Sequence, residues 1–261
     1  MIADLPESLR KSGAIEVLAK LGTIAGGDIL DVGTQKGDFI NVLMKVLKGY
    51  NTFTGIDISE EDLEEARERF KDKPASFLLM NAESMIFQDN QFDTVCISYS
   101  LHHLENINKV LDEMYRVLKP KGHFIIQEMY SDGEQSAAQQ LDTLVHHLNA
   151  KVDSLLGIPH FETLTRQRMR DYVCRIGLRD IEVFDSTWSV KCLFCDDVHD
   201  CLNPTRTSHI DSVIRQIDSI LSKVREHPSY AELKEEAELL KERAKTDGAA
   251  EASLMYFFGI K

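Results

Sequence analysis

Two acidic residues and a glycine-containing turn have the residue types and spacing of a nucleoside-binding site. Residues 29–37 run from an apolar stretch through Asp31, Gly33 and Gly37 toward a segment of helical pattern, and a second aliphatic run ends at Asp57. A turn between a strand and a helix offers unpaired backbone N–H groups, and a carboxylate at the next strand tip can accept ribose hydroxyls. The spacing therefore predicts a nucleoside site in an α/β domain.

The middle of this turn distinguishes between nucleoside cofactors. A dinucleotide fingerprint has glycines in the pattern G-x-G-x-x-G, whereas the spacing here is Asp31-x-Gly33-x-Gln35-x-Gly37. The chain from this turn to about residue 130 resembles the seven-stranded, S-adenosylmethionine-dependent methyltransferases. The resemblance is to the small-molecule branch of the ubiquinone/menaquinone-biosynthesis type, whose turn reads acid-x-Gly-x-Gly-x-Gly. Because glycine is preferred where backbone approaches a ligand, Gln35 either weakens cofactor affinity, contacts the cofactor through its amide, or points outward.

Further stretches carry the resemblance in the family's order. Residues 80–87 are similar to the family segment Asp-Ala-Glu-x-Leu-Pro-Phe, with Asn81 in place of the acid and Ile86 in place of proline. Residues 116–126 resemble the family's helix, Lys-Pro-x-Gly turn and fifth strand. The other two are residues 53–59 and 92–104.

The resemblance implies a set of cofactor-binding residues. Asp57 would accept the ribose hydroxyls, Asn81 and Ala82 would contact adenine, and Ser98 would lie on the methionine side. Asp31, Gly33 and Gly37 would shape the cofactor loop. The full set is Asp31, Gly33, Thr34, Gln35, Gly37, Asp57, Ile58, Asn81, Ala82 and Ser98.

Two adjacent histidines are the candidates for catalysis. Methyl transfer is an in-line displacement that depends on alignment of donor and acceptor, and a base is needed only when the acceptor arrives protonated. The resemblance places His102 and His103 beside the transferable methyl, and imidazole removes protons near neutral pH. The alternative is that they shape the pocket or cap the next helix. Tyr99 is a wall candidate, and Glu128 and Tyr130 could face the acceptor.

A group of thiols suggests a second chemistry. Cys192 and Cys195 are followed closely by His199 and Cys201, and such ligands can build a tetrahedral zinc site. The spacing is short for a complete site, so ordinary thiols are favoured and no metal residue is assigned. A redox pair is disfavoured because this Cys-x-x-Cys does not open a thioredoxin-like unit.

Strands and helices alternate along the chain, which predicts a doubly wound, mainly parallel sheet with right-handed crossovers. Its ligand crevice is expected at the carboxyl ends of the strands. One amphipathic helix is expected over residues 5–22, and the last of seven strands is expected to be antiparallel. The predicted strands are residues 28–32, 52–56, 76–80, 94–98, 124–129, 177–183 and 252–260.

A long helical segment separates the last two strands. Residues 191–250 are predicted to be a mainly helical insertion, turned near Pro228, within a cofactor domain formed by residues 1–190 and 251–261. A separate helical stretch after Tyr130 could cap the substrate. The apolar stripe of the insertion indicates ordinary packing, a homodimer contact or a substrate lid.

Composition narrows the classes of partner. With 30 Lys and Arg against 43 Asp and Glu, the net charge of −13 disfavours a nucleic-acid substrate. No apolar run is long enough to span a membrane, and five cysteines without a secretion signal indicate a reducing, cytoplasmic location.

The sequence thus predicts a methyltransferase that uses S-adenosylmethionine on a small organic acceptor. The alternatives are a regulatory module that binds this cofactor without turnover and, less favoured, an NAD-dependent dehydrogenase.

Overall fold

A computed structural model describes residues 7–194 and 203–261 of the chain. Seven strands form one sheet in the order β3-β2-β1-β4-β5-β7-β6. The strands are β1 (Asp28–Val32), β2 (Thr52–Asp57), β3 (Ala75–Leu79), β4 (Phe92–Ser98), β5 (Leu118–Met129), β6 (Arg179–Ser186) and β7 (Leu254–Ile260). Each predicted strand is therefore present, within three residues of its expected bounds except β5, which begins six residues earlier than predicted.

The chain forms two compact units. The first comprises Ile15–Glu128, Gln167–Asp185 and Met255–Lys261 and contains almost all of the sheet. Its strands β1 to β5 pair in parallel. The helices of this unit are α2 (Ala14–Leu21), α3 (Asp38–Val46), α4 (Glu60–Arg69), α5 (Ile107–Val117) and α7 (Arg166–Ile176).

The last strand runs against its neighbour β5. Lys121 donates its backbone N–H to the Lys261 carbonyl, and Lys261 donates to Gly122, whereas at the other end of the strands Tyr130 donates to Ser253. Sequence numbers that rise on one strand and fall on the other define an antiparallel pair. The predicted seven-stranded, mainly parallel sheet with an antiparallel last strand is confirmed.

The expected Lys-Pro-x-Gly turn lies within β5 rather than ahead of it. Phe92 pairs with Leu118 and Thr94 pairs with His123, so β5 inserts extra residues opposite a short piece of β4. Lys121 in this insertion has a φ of 67°. Such a bulge leaves the strand continuous while giving it a local bend.

The single N-terminal helix predicted over residues 5–22 is wrong, because two helices occupy the described part of it. These are α1 (Glu7–Arg10) and α2. Gly13 between them has a φ of 86°, a left-handed conformation that glycine adopts without steric cost and that ends helices. The Ser12 hydroxyl then accepts the N–H of Ala14.

The second unit is mainly helical and comprises residues 7–14 and 129–166 and the described part of 186–254. Its helices α6 (Ala137–Leu155), α8 (Thr207–Ser222) and α9 (Tyr230–Asp247) share one apolar core. The stripe predicted for the insertion, including Ile217 and Leu221, is buried in this core against Leu148 of α6. The predicted division at residues 190 and 250 stays a prediction. Among the described helices, none has the length and apolarity needed to cross a bilayer.

Candidate active site

The predicted cofactor residues lie at one edge of the sheet, where four neighbouring strands end. β3, β2, β1 and β4 are adjacent in that order and parallel. Their registers align Asp57 with Leu79 and Val32 with both Ile56 and Ile97. The loops that follow these strands therefore leave the sheet at similar height, which brings the separate sequence motifs to one edge.

The loop after β1 has a left-handed backbone at alternate positions. The φ angles are 65° at Gly33, 46° at Gln35 and 77° at Gly37, the residue that precedes α3. A Cβ on Gly33 would lie 2.6 Å from the Ser100 Oγ, so no side chain fits there. Gln35 holds a conformation that favours glycine, and its side chain is exposed. The left-handed φ at position 35 explains why glycine suits the middle of this turn. The exposed side chain agrees with the alternative in which Gln35 points outward.

Two backbone donors orient the Asp57 carboxylate, one from the loop after β1 and one from the residues that follow β2. Its Oδ2 accepts the N–H of Gln35 at 2.9 Å, and its Oδ1 accepts the N–H of Ser59 at 3.0 Å. Each carboxylate oxygen has two lone pairs, so each can accept one further hydrogen bond. Two vicinal hydroxyls of a ribose are suitable donors, and the residue fits the role predicted for it.

Asn81, two residues beyond β3, offers a polar group, and Ile58, the residue after β2, offers an apolar one. The Asn81 Oδ1 accepts the N–H of Glu83 at 2.8 Å, and its second lone pair can accept an amino group. Ala82 follows it and is partly buried. Ile58 is 75% exposed, which is unusual for so large an apolar side chain. An aromatic base between these groups would bury apolar surface and meet one acceptor.

Asp31 supports the loop from within the protein. The residue is 1% exposed, and its Oδ2 accepts the hydroxyl of Thr34 at 2.7 Å. Its Oδ1 lies 3.4 Å from the Cys96 Sγ. Burial raises the pKa of the Asp31 carboxyl to about 7, although the hydrogen bonds from Thr34 and Cys96 act in the opposite direction. Asp31 therefore shapes the loop through Thr34, whose N–H in turn bonds to Ile56.

The exit of β4 carries the two histidines. Ser98 ends the strand and is partly exposed, and Tyr99 follows with a φ of 51°, a strained conformation typical of functional sites. The rings of His102 and His103 lie with their centroids 4.3 Å apart. His102 is 2% exposed, whereas His103 is partly exposed.

Glu128 was expected to face the acceptor, and its carboxylate faces His102 and the Leu101 N–H instead, whereas Ser100 had no predicted role. Glu128 is fully buried, and its Oε1 lies 3.0 Å from the His102 Nδ1. The Ser100 hydroxyl donates to the Gly33 carbonyl at 3.1 Å. No local pattern could have identified Glu128 as the partner of His102, because the end of β5 is buried on both faces. The ring of Tyr130 lies 5.4 Å from the Arg166 guanidinium in the helical unit.

The thiol hypothesis stays a prediction. Cys192 is buried, and its N–H donates to the Ser189 carbonyl. The remaining candidate ligands, Cys195, His199 and Cys201, lie outside the described residues.

Comparisons with known proteins give matches over part of this chain. Residues 30–126 match the family model described as a methyltransferase domain. A ubiquinone/menaquinone biosynthesis C-methyltransferase of Desulfotalea psychrophila is 38% identical over 109 residues, which are 42% of this chain and 44% of the relative. The chain therefore spans less than half the length of that relative. The match confirms the resemblance predicted from the sequence.

Solved structures of the same fold include proteins of different activity. A phosphoethanolamine N-methyltransferase 2 of Haemonchus contortus, solved with S-adenosylhomocysteine, aligns with a TM-score of 0.55 and 17% identity. The alignment covers 95% of this chain and 52% of that one. A [4+2]-cyclase aligns with a TM-score of 0.56 and 16% identity, over 94% of this chain and 78% of that one. Likeness at this identity shows the fold alone.

Proposed function

We propose that this chain, whose residues 30–126 match a methyltransferase domain, transfers a methyl group from S-adenosylmethionine to a small organic acceptor. The observation that carries the proposal is the pair of backbone hydrogen bonds that orient Asp57 at the tip of β2. Each carboxylate oxygen of Asp57 keeps one lone pair that can accept a hydrogen bond from a ligand, and the carboxylate lies beside a glycine-containing turn.

The chain's own residues would bind and orient the cofactor. Asp57 would accept the ribose hydroxyls, and Asn81 would accept the adenine amino group while Ile58 covers the ring. The loop from Gly33 to Gly37 would bring backbone close to the ligand, because Gly33 and Gly37 have no side chain and Gln35 has an exposed one. The bound cofactor supplies an electrophilic methyl group on a sulfonium. Alignment of that methyl with the acceptor would supply much of the rate.

The proposal identifies the methyl acceptor only by its chemical class. A net charge of −13 supports a small molecule rather than a polynucleotide. The name of the sequence relative supports a quinone-type acceptor. The segment that matches the family model, residues 30–126, contains the predicted cofactor residues. A cytoplasmic location and a homodimer remain part of the proposal. Specificity in such folds lies in the segments outside the shared domain.

Replacement of Asp57 by alanine tests cofactor binding. Hydrogen bonds to a charged group are worth about 1.5–3 kcal/mol each, so loss of two should weaken S-adenosylhomocysteine binding roughly 100-fold or more. Isothermal titration calorimetry measures this directly. Glu64→Ala removes an exposed carboxylate from α4 and should leave the affinity unchanged. Equal affinities of Asp57→Ala and the unaltered protein would contradict the assignment.

Label transfer separates an enzyme from a binding module. The cyclase that shares the fold is a reason to test turnover directly. Incubation with methyl-labelled S-adenosylmethionine and a broad metabolite extract should label an extractable small molecule. Tight binding without transfer would favour the regulatory module. Thermal stabilisation by NAD, and not by S-adenosylhomocysteine, would favour a dehydrogenase.

A further inference from the structure

A buried carboxylate and a buried imidazole face one another where β4 and β5 end. Glu128 is 0% exposed and His102 is 2% exposed. The Glu128 Oε1 lies 3.0 Å from the His102 Nδ1, and the Oε2 accepts the backbone N–H of Leu101 at 2.8 Å. Both carboxylate oxygens are therefore directed at neighbouring groups of the same short segment, Leu101–His103.

This arrangement selects one tautomer of His102. An ionised carboxylate only accepts hydrogen bonds, and a neutral imidazole has one N–H donor and one acceptor nitrogen. Opposite an ionised Glu128, the nitrogen that faces the carboxylate carries the proton. Nδ1 is then the N–H, and Nε2 is the basic nitrogen of the ring. The same carboxylate stabilises the imidazolium that forms when Nε2 gains a proton, as the buried acid of a catalytic triad does.

The segment that bears His102 is also fixed to the predicted cofactor loop. The Ser100 Oγ lies 3.1 Å from the Gly33 carbonyl oxygen and 2.9 Å from that of Ser98, and its one O–H is shared between these two acceptors. A Cβ on Gly33 would meet the Ser100 side chain, so the two loops touch with no room between them. His102 thus stands two residues from a direct contact with the loop after β1.

We propose that Glu128 is a positioning residue that makes the Nε2 of His102 the proton acceptor for methyl transfer. This inference rests on the proposed function. An electron pair of the acceptor atom forms a bond to the methyl carbon, and the carbon–sulfur bond breaks with its electron pair retained by sulfur. The acceptor's proton passes to the His102 Nε2, and Glu128 holds the resulting imidazolium. The contact with Glu128 assigns the role of base to His102 in this proposal.

The first test reads the tautomer of His102 without cofactor or acceptor. Long-range ¹H–¹⁵N spectra of the protein labelled at histidine nitrogen should show His102 with a protonated Nδ1, its signal being assigned by its loss in His102→Gln. In Glu128→Gln the amide has one acceptor oxygen for two donors, so the Nδ1–H pattern should be lost or mixed. A wild-type His102 protonated at Nε2 would overturn the proposal, whether or not the variant folds.

The second test separates positioning from binding. Methyl transfer from labelled S-adenosylmethionine into a metabolite extract should fall about 10- to 100-fold in Glu128→Gln, while S-adenosylhomocysteine affinity changes less than twofold. Glu113→Gln makes the same chemical change at a carboxylate that also accepts a backbone N–H, from Met85, and should leave both values unchanged. Transfer by Glu128→Gln at the wild-type rate would overturn the inference.

The two proposals fail in different ways. Absence of both S-adenosylhomocysteine binding and label transfer in the wild-type protein would overturn the proposed function and the base role with it. Normal wild-type transfer, with a His102 tautomer that Glu128→Gln leaves unchanged, would overturn only the positioning role of Glu128.

Discussion

Neutralising Asp31 should raise the stability of the protein at neutral and alkaline pH. The carboxyl group lies inside the sheet, 1% exposed, between the Thr34 hydroxyl and the Cys96 thiol. In Asp31→Asn the amide oxygen can still accept the Thr34 hydroxyl, and the amide nitrogen would face sulfur. The variant therefore removes the ionisable proton with little change of shape.

The magnitude follows from the pKa of Asp31. Burial raises this pKa from 3.8 to about 7, and each pKa unit corresponds to about 1.4 kcal/mol. Well below pH 4 the group is protonated in both the folded and the unfolded chain, so its ionisation does not change the free energy of unfolding. As pH rises to about 7 the unfolded chain ionises first, and the folded state loses stability by up to about 4 kcal/mol. Above pH 7 the loss stays constant.

Urea unfolding at several pH values measures this effect. The free energy of unfolding of Asp31→Asn, relative to the wild type, should increase by several kcal/mol between pH 4.5 and pH 8. Asp28→Asn is the matched control, since it changes a partly exposed carboxylate at the start of the same strand. A difference between Asp31→Asn and wild type that does not vary with pH would refute the reasoning.

Three further predictions concern the backbone, a helix cap and the helical core. Gln35→Gly should exceed Gln35→Ala in free energy of unfolding by about 1 kcal/mol, because only glycine adopts a φ of 46° without a Cβ clash; the reverse order would contradict this account. Ser136→Ala should cost about 1 kcal/mol, because it removes the capping box with Gln139 at the start of α6; an unchanged denaturation midpoint would argue against it. Leu148→Ala should cost about 2–5 kcal/mol in the shared core of α6, α8 and α9. The exposed Leu239→Ala should cost under about 0.5 kcal/mol, and equal losses would count against this packing.

The cofactor edge could be predicted because its signals are local. The strand that ends at Val32, the turn through Gly37 and the acid Asp57 each follow from a few consecutive residues. Parallel pairing then brings strand ends together without further information. The N-terminal helix failed for an equally local reason, since Gly13 interrupts an otherwise regular apolar pattern.

Contacts between distant residues could not be predicted in the same way. Glu128 and His102 are 26 residues apart on different elements, and Glu128 lies in a run of buried residues that shows no alternation. The apolar stripe of α8 and α9 predicted burial but not the partner, because periodicity identifies a face and leaves open what covers it. That partner is α6 of the same chain.

The hydrogen bond between Asp57 and the Gln35 N–H has a thermodynamic consequence for recognition. The loop after β1 is held in its left-handed shape by a strand residue of the protein itself. The conformational entropy of this loop is therefore lost when the chain folds, rather than when a ligand arrives. The carboxylate serves as both fastener and acceptor, so Asp57→Ala should add an entropic penalty of loop ordering to the lost contacts. Calorimetry would record that penalty as a less favourable binding entropy alongside the reduced heat.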